Sequence, residues 1–413
     1  MRATTLPCRP VLGPTDTVDG PEMEISTPFR QRVTATESDF EIRPLAPSEA
    51  LADATFLADW RRVVDANGAP YTLYNSPDWI EHAATLGGAS IVIWTIRDAN
   101  RTLVGVVPTA KRDYRLTFDI ANRAFFNVTF KVADILGSQL CIPENRHLYR
   151  KLIDRILKHW PECDGICFDT LPADCFCSRL LHSSDECSDS VRVYSPFGCR
   201  PWHVITLGAS FEEYLQTKSA KTRSTLRRKV RLFEQTGAVW LERYTRPDEV
   251  PEFVNGISRI SPKTWQHRLL GMEYSNDDLT QRKYQDLAGR GLLRSYLLRR
   301  DDRPCAFVIG YQYRDMYYYA DVGFDPDLAE FSPGTVLLFL MLEDLHENNR
   351  PALLNFGIGD ASYKQRFGTD VFSDETVLVL RAGLRNRLAV KSHQAFITCL
   401  DRAKKVIGRR VRK

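Results

Sequence analysis

A chain of 413 residues is longer than one typical hydrophobic core, so two domains are the default. Hydrophobic residues at 43% and charged residues at 26% are ordinary globular composition, and no apolar run approaches the length that spans a bilayer. Cys163 and Cys167, or Cys175 and Cys177, have no second pair at zinc spacing, which excludes a zinc module and suits thiols in a reducing cytoplasm. The net charge of +4 conceals two basic stretches. Lys218, Lys221, Arg223, Arg227, Arg228, Lys229 and Arg231 lie between Tyr214 and Phe233 with no acid among them. A second run, from Arg402 to Lys413, follows Asp401, and the rest of the chain is then acidic, at about −10. Two separate anionic contacts are implied.

In chain order, residues 1–39 are rich in Pro, Thr and charge and read as a disordered leader without the apolar centre of a secretory signal. A first domain is expected over residues 40–200. Helical patterns at 51–64 and 77–84 precede strands at 91–97 and 103–110, a polar connector, a helix at 148–157 and a short strand at 166–169. Ser210-Phe211-Glu212-Glu213 has the form of a capping box and opens a helix that runs towards Gly237, with a kink near Ser219. Leu215, Leu226, Val230 and Phe233 share one face and leave the cations on the others. Like charges at i,i+4 spacing destabilise a helix, so this run points to an anionic partner rather than a solvated face. Phosphates of an acyl carrier, of an acceptor or of RNA all fit guanidinium forks.

The second domain, residues 201–382, contains strands at 292–299, 305–311 and 316–322. Then come Ser332-Pro333-Gly334-Thr335, an apolar helix at 336–345 and a strand at 353–357. The first turn of a helix presents unpaired N–H groups and a positive dipole end, which suit a phosphate; an ordinary strand-to-helix turn is the alternative. Residues 101–113 align without gaps with residues 303–315, each a charged turn, an apolar strand and a terminal Arg-Asp. Placed at the same point of two similarly ordered halves, this favours a tandem repeat of one fold. The first half has no Ser-Pro-Gly loop and reads as a pseudo-domain that walls the substrate cleft. From residue 383 to 413 a basic helix carries Phe396, Cys399, Leu400, Ala403, Val406, Ile407 and Val411 at helical spacing. That pattern suits docking on an anionic bilayer, binding to nucleic acid, or a plain packed helix.

The meander, the loop and helix, and the ending Gly357-Ile358-Gly359-Asp360 to Tyr363-Lys364-Gln365-Arg366-Phe367 resemble the acyl-CoA-binding core of the GNAT superfamily of N-acyltransferases. More closely they resemble the CelD/BcsL-type branch, related to the Fem-type peptidoglycan peptidyltransferases. The Ser-Pro-Gly loop stands where other members carry a Gln/Arg-x-x-Gly-x-Gly/Ala loop. The resemblance covers most of residues 40–381 and implies an α/β (α+β) fold of tandem GNAT-like domains, each a mixed, mostly antiparallel sheet flanked by helices. It implies an acyl-CoA donor, acetyl-CoA or longer, held at Ser332, Pro333, Gly334 and Thr335. The acceptor would be an amine, or less readily a hydroxyl, of a phosphorylated or saccharide envelope or exopolysaccharide precursor, with no metal. The protein would be cytoplasmic, or peripheral at the inner face of the membrane. Fem-like transfer from aminoacyl-tRNA and a non-catalytic scaffold of a polysaccharide-synthesis complex are the rival readings.

Acyl transfer to an amine needs a base, oxyanion donors and an acid for the leaving thiolate. Asp321 and Asp360 are the candidate bases, against a hydrogen-bonded strand end and a turn-stabilising Asp. Tyr363 is a candidate acid, against pocket packing. Lys364 matches the lysine of the Fem-like branches and would stabilise the oxyanion. Trp265, in a Lys263-x-Trp265 context, resembles a pocket-lining element, and Arg223, Arg227 and Arg228 stand for the substrate-binding cations.

Overall fold

The computed structural model describes residues 40–67, 72–87, 90–120, 123–138, 140–183, 190–264, 267 and 273–411, so the leader and Trp265 lie outside the described residues. The described chain forms two compact units, residues 40–200 with 373–411, and residues 201–372.

The first unit is built on β1 (Glu41–Leu45), β2 (Ile91–Arg97), β3 (Leu103–Ile120), β4 (Arg123–Ile135), β5 (Gly165–Pro172) and β6 (Val191–Tyr194). The second is built on β7 (Cys199–Thr206), β8 (Val239–Tyr244), β9 (Ser295–Arg300), β10 (Arg303–Tyr313), β11 (Met316–Phe324) and β12 (Leu353–Ile358). A last strand, β13 (Asp370–Arg381), pairs antiparallel with β5 and β6 of the first unit. In the first unit β1, β2, β3 and β4 run antiparallel in turn, β4 meets β5 in parallel, and β5 meets β13 antiparallel. The second unit repeats this plan with β8, β9, β10 and β11, then β12 in parallel, then β7 antiparallel. Both halves are therefore one mixed, mostly antiparallel sheet design, as the internal alignment implied.

The sixth strand of each sheet comes from the wrong place in the chain. The strand that follows the first repeat, β7, completes the second sheet, and the strand that follows the second repeat, β13, completes the first. The expected limit of the second domain at residue 382 therefore moves to 372. Alternation explains why β13 fits: Val377 and Val379 enter one core while Leu378 and Leu380 enter the other. Gly165 in β5 allows the close approach, because a Cβ there would stand 2.3 Å from the Val379 carbonyl oxygen. Gly165→Ala is expected to destabilise the first unit by about 3 kcal/mol, read by urea unfolding.

Three further expectations change. The polar connector after residue 110 is a long hairpin, since β3 and β4 continue to Ile120 and Arg123. The single basic helix is two: Phe211–Gln216 ends before Ser219, whose hydroxyl caps a separate helix, Ala220–Glu234. The C-terminal helix Leu384–Val411 packs on the first unit through Asn386, Ala389, Val390 and His393, with Phe396 and Leu400 half-buried and Cys399 and Ala403 exposed. Burial thus begins earlier in the helix than the spacing suggested and takes in Phe396 and Leu400 of the expected stripe.

In the second unit, helices Phe211–Gln216, Ala220–Glu234 and Pro333–Glu347 cover one face of the sheet through Leu226, Val230, Phe233, Val336 and Met341. Val250–Ile260 and Asp278–Gly289 bury Phe253, Ile257, Tyr284 and Leu287, and Val250–Ile260 contacts β10 and β9.

Candidate active site

The chain turns from the 3-10 segment Pro326–Phe331 into the helix Pro333–Glu347 at Ser332, which holds φ 58° and ψ 50°. A non-glycine residue in the left-handed region is uncommon and marks a constrained turn. Ser332 makes no side-chain cap to its own helix; its hydroxyl instead accepts a hydrogen bond from Lys229 Nζ at 2.9 Å. Pro333 has no N–H, and Thr335 and Val336 donate to the Ser332 carbonyl at 2.9 and 3.2 Å. The Gly334 amide, at the second helical position, thus has no acceptor within its own helix. A Cβ on Gly334 would meet only Phe324 Cδ1, at 3.6 Å.

Three cations converge here. Burial, then Arg366 and Arg228, push the Lys229 ammonium below its ordinary range. No carboxylate is recorded as an ion-pair partner of any of the three among the described residues. Arg228, Lys229, Leu232, Glu330, Phe331 and Ser332 line a groove of about 280 Å³. A helix N-terminus with an open amide and three cations against the single groove carboxylate of Glu330 suits phosphate oxygens.

The other arginines of the run do different work. Arg223 donates to the Lys218 carbonyl at 2.6 Å, and Arg227 pairs with Glu212 at 2.8 Å. The compensating acid thus comes from the preceding helix rather than from the run itself. Arg227 and Arg231 line a second groove, of about 380 Å³, with Glu212 and Glu343.

On the other side of the loop, β11 pairs with β12 only from Met316–Leu353 to Tyr318–Asn355. Beyond these pairs Tyr319, Phe356 and Tyr363 come together, with Tyr363 5.8 Å from Phe356 and 6.3 Å from Tyr319 between ring centroids. The equivalent gap in the first unit is spanned by Ser138, whose hydroxyl accepts from the Asp169 and Thr170 amides at 2.8 and 2.9 Å.

Asp321 owes its direction to a bulge. Tyr319 is opposite Gly310 and Asp321 opposite Ile309, so Ala320 is an extra residue. Without it, Asp321 would share the face of Tyr317 and Tyr319. With it, Asp321 joins the face of Phe307 and Ile309, where Tyr274 hydrogen-bonds to it. Burial raises the Asp321 carboxyl above the ordinary carboxylate range, with Tyr274 and the Lys283 ammonium opposing. Burial likewise lowers Lys283.

Asp360 is opposite in character. It accepts from Gln365 Nε2 at 2.7 Å and from the buried His203 at 2.9 Å, and these partners hold it below the ordinary range. Lys364 is 5% exposed, and its Nζ donates to the carbonyls of Phe356, Gly357 and Ile358 at 2.8, 3.1 and 2.9 Å. Its three protons are thereby all engaged by main chain, so acting on an oxyanion would require it to give one up. Lys229, Arg366, Tyr274, Lys283 and His203 were not singled out from sequence. Of these, Lys229 had a signal in its place in the basic run and Arg366 in its place in the Tyr363-to-Phe367 ending.

Residues 220–365 match an acetyltransferase (GNAT) domain model. No curated protein sequence matches the chain at a significant level. Among solved structures, FemX is similar with a TM-score of 0.55 and 11% identity, covering 84% of this chain and 98% of FemX. A conserved protein of unknown function from Bacteroides thetaiotaomicron is similar with a TM-score of 0.50 and 10% identity, covering 78% and 97%. The fold is thus that of the tandem GNAT-like proteins. The match to the GNAT acetyltransferase domain lies in the second repeat, and the fold is similar to that of FemX.

Proposed function

We propose that the protein moves an acyl group from acyl-CoA to an amine, or less readily a hydroxyl, of a cell-envelope or exopolysaccharide precursor, as the likeness to the CelD/BcsL-type branch implies. The observation that carries this is the cradle at Ser332, where one open amide, Lys229, Arg228 and Arg366 stand ready for phosphate oxygens. The pantetheine arm of the donor suits the gap that opens between β11 and β12 beside Tyr319, Phe356 and Tyr363. Asp321, with its raised pKa, suits the base that takes the acceptor proton, whereas the acidic Asp360 suits a positioning role. CoA supplies the activated thioester; the chain's own residues bind its phosphates and manage the acceptor proton.

Calorimetric titration with CoA and acyl-CoAs tests the donor. Lys229→Ala is expected to weaken CoA binding by about 10- to 100-fold, the range for a charge-assisted hydrogen bond, and Gly334→Trp to abolish it. Absence of binding by the folded protein would remove CoA as donor. Aminoacyl-tRNA binding with a steep salt dependence would then favour the Fem-like reading, since many phosphates release many counterions.

A further inference from the structure

The long β3–β4 hairpin and the C-terminal helix form a surface that the acyltransferase reading leaves without a task. Up to Phe118 the hairpin is covered by the helix. Arg385 donates to the Thr129 carbonyl at 2.6 Å, His393 Nε2 lies 3.1 Å from the Thr117 carbonyl oxygen, and Phe396 stacks 5.2 Å from Phe118. Because Thr129 pairs with Arg115, and Thr117 with Asn127, these contacts advance steadily towards the hairpin tip. The helix therefore runs along the hairpin and outruns it. From Phe396 it continues to Val411, about 22 Å at 1.5 Å per residue, while the hairpin strand has only two residues left after Phe118.

What lies at this end is both apolar and basic. Ile120, Phe125 and Phe126 are 42%, 70% and 60% exposed. Phe118 is opposite Phe126 and Asp119 opposite Ala124, so Phe125 is the bulged residue, turned out of the ladder. Phe126 leans on Phe118, ring centroids 5.5 Å apart, and so joins the tip to the helix through Phe396. The sequence then loads the last turns of the helix with Arg402, Lys404, Lys405, Arg409 and Arg410 against the single acid Asp401.

We propose that this end of the first unit docks on an anionic lipid bilayer, with Phe125 and Phe126 entering the headgroup boundary and the terminal helix lying on the charged surface. Exposed aromatics beside a cluster of cations are the two components of interfacial binding. Cations alone would serve a nucleic-acid duplex equally, but a duplex keeps its bases stacked on one another and gives two exposed, contiguous phenylalanines nothing to bury against, whereas the headgroup boundary does. Binding would hold the protein at a membrane whether or not the second unit transfers acyl groups. The inference does not depend on the donor.

The test is co-sedimentation of the full chain with vesicles of phosphatidylcholine alone and with about 30 mol% phosphatidylglycerol added as the anionic lipid. The expected result is binding only to the anionic vesicles. Phe125→Ser with Phe126→Ser should lower the partition coefficient by about tenfold or more. Replacing Lys404, Lys405, Arg409 and Arg410 by Ala should lower it by about a hundredfold or more. Phe125→Leu with Phe126→Leu should retain binding, and circular dichroism checks that each variant is folded. No binding to anionic vesicles overturns the proposal. So does binding that ignores the serine substitutions while an RNA duplex competes fully, which would make the surface a polyanion site.

Discussion

Asp321→Asn is expected to lower kcat/KM for acyl transfer by about 10²- to 10⁴-fold while leaving CoA affinity unchanged, the range for loss of a positioned general base. The pH profile separates this from a packing defect. Asp321 must be ionised to accept a proton, and burial raises its pKa. Activity should therefore rise with pH through a limb above the ordinary carboxylate range, and that limb should vanish in the variant. Stability should move the other way. The folded-state pKa lies above the unfolded value, so ionised Asp321 costs stability. That cost is absent below about pH 4 and grows as pH rises towards the folded value. At neutral pH the asparagine variant is expected to unfold at the same urea concentration as the parent or a higher one. A variant with full activity would remove Asp321 as the base.

The second large effect concerns Lys364. Three main-chain carbonyls at the end of β12 share its ammonium, and the residue itself is buried. Lys364→Met has nearly the same reach and no donors, and it leaves those carbonyls unpaired. Its expected cost is about 3 kcal/mol or more in urea unfolding, because buried acceptors without partners lose their full solvation. The resemblance to Fem-like proteins implies instead an oxyanion donor, whose loss would reduce kcat at unchanged stability. The two readouts are measured on one variant, and a stable but slow enzyme would restore the catalytic reading.

These cases show what a sequence can and cannot carry. The strands of the second repeat were legible because Tyr, Val and Phe alternate with short breaks, and the Ser332 turn was legible as a helix start because Pro and Gly precede an apolar run, a signal that by itself fits an ordinary turn equally. Asp321 could be named but not aimed, since an extra residue at Ala320 leaves no trace in the alternation and yet reverses the face. Lys229 was one of seven cations, and what selects it is the phase of its helix against a serine 103 residues away. The extension of β3 was masked by Lys111, Arg112, Asp113 and Arg115, which read as a connector although Tyr114, Leu116 and Phe118 keep period two. The exchange of β7 and β13 was invisible because a strand's pattern states which face is buried and not which neighbour it takes.

That exchange also constrains how the chain can come into being. A ribosome that has released residues 1–200 has produced strands β1 to β6, but β5 and β6 still lack β13, whose pairing residues 374–381 emerge only after the whole second repeat. Until then β5 presents an open edge to any strand in solution, a hazard for pairing with the wrong partner. The first repeat is therefore not a self-sufficient module, whereas the second unit, residues 201–372, carries its own β7, so the first sheet is completed only after the second has been synthesised. A gene cut ahead of β7 would leave the first piece without β13, a strand that the second piece carries in addition to its own β7.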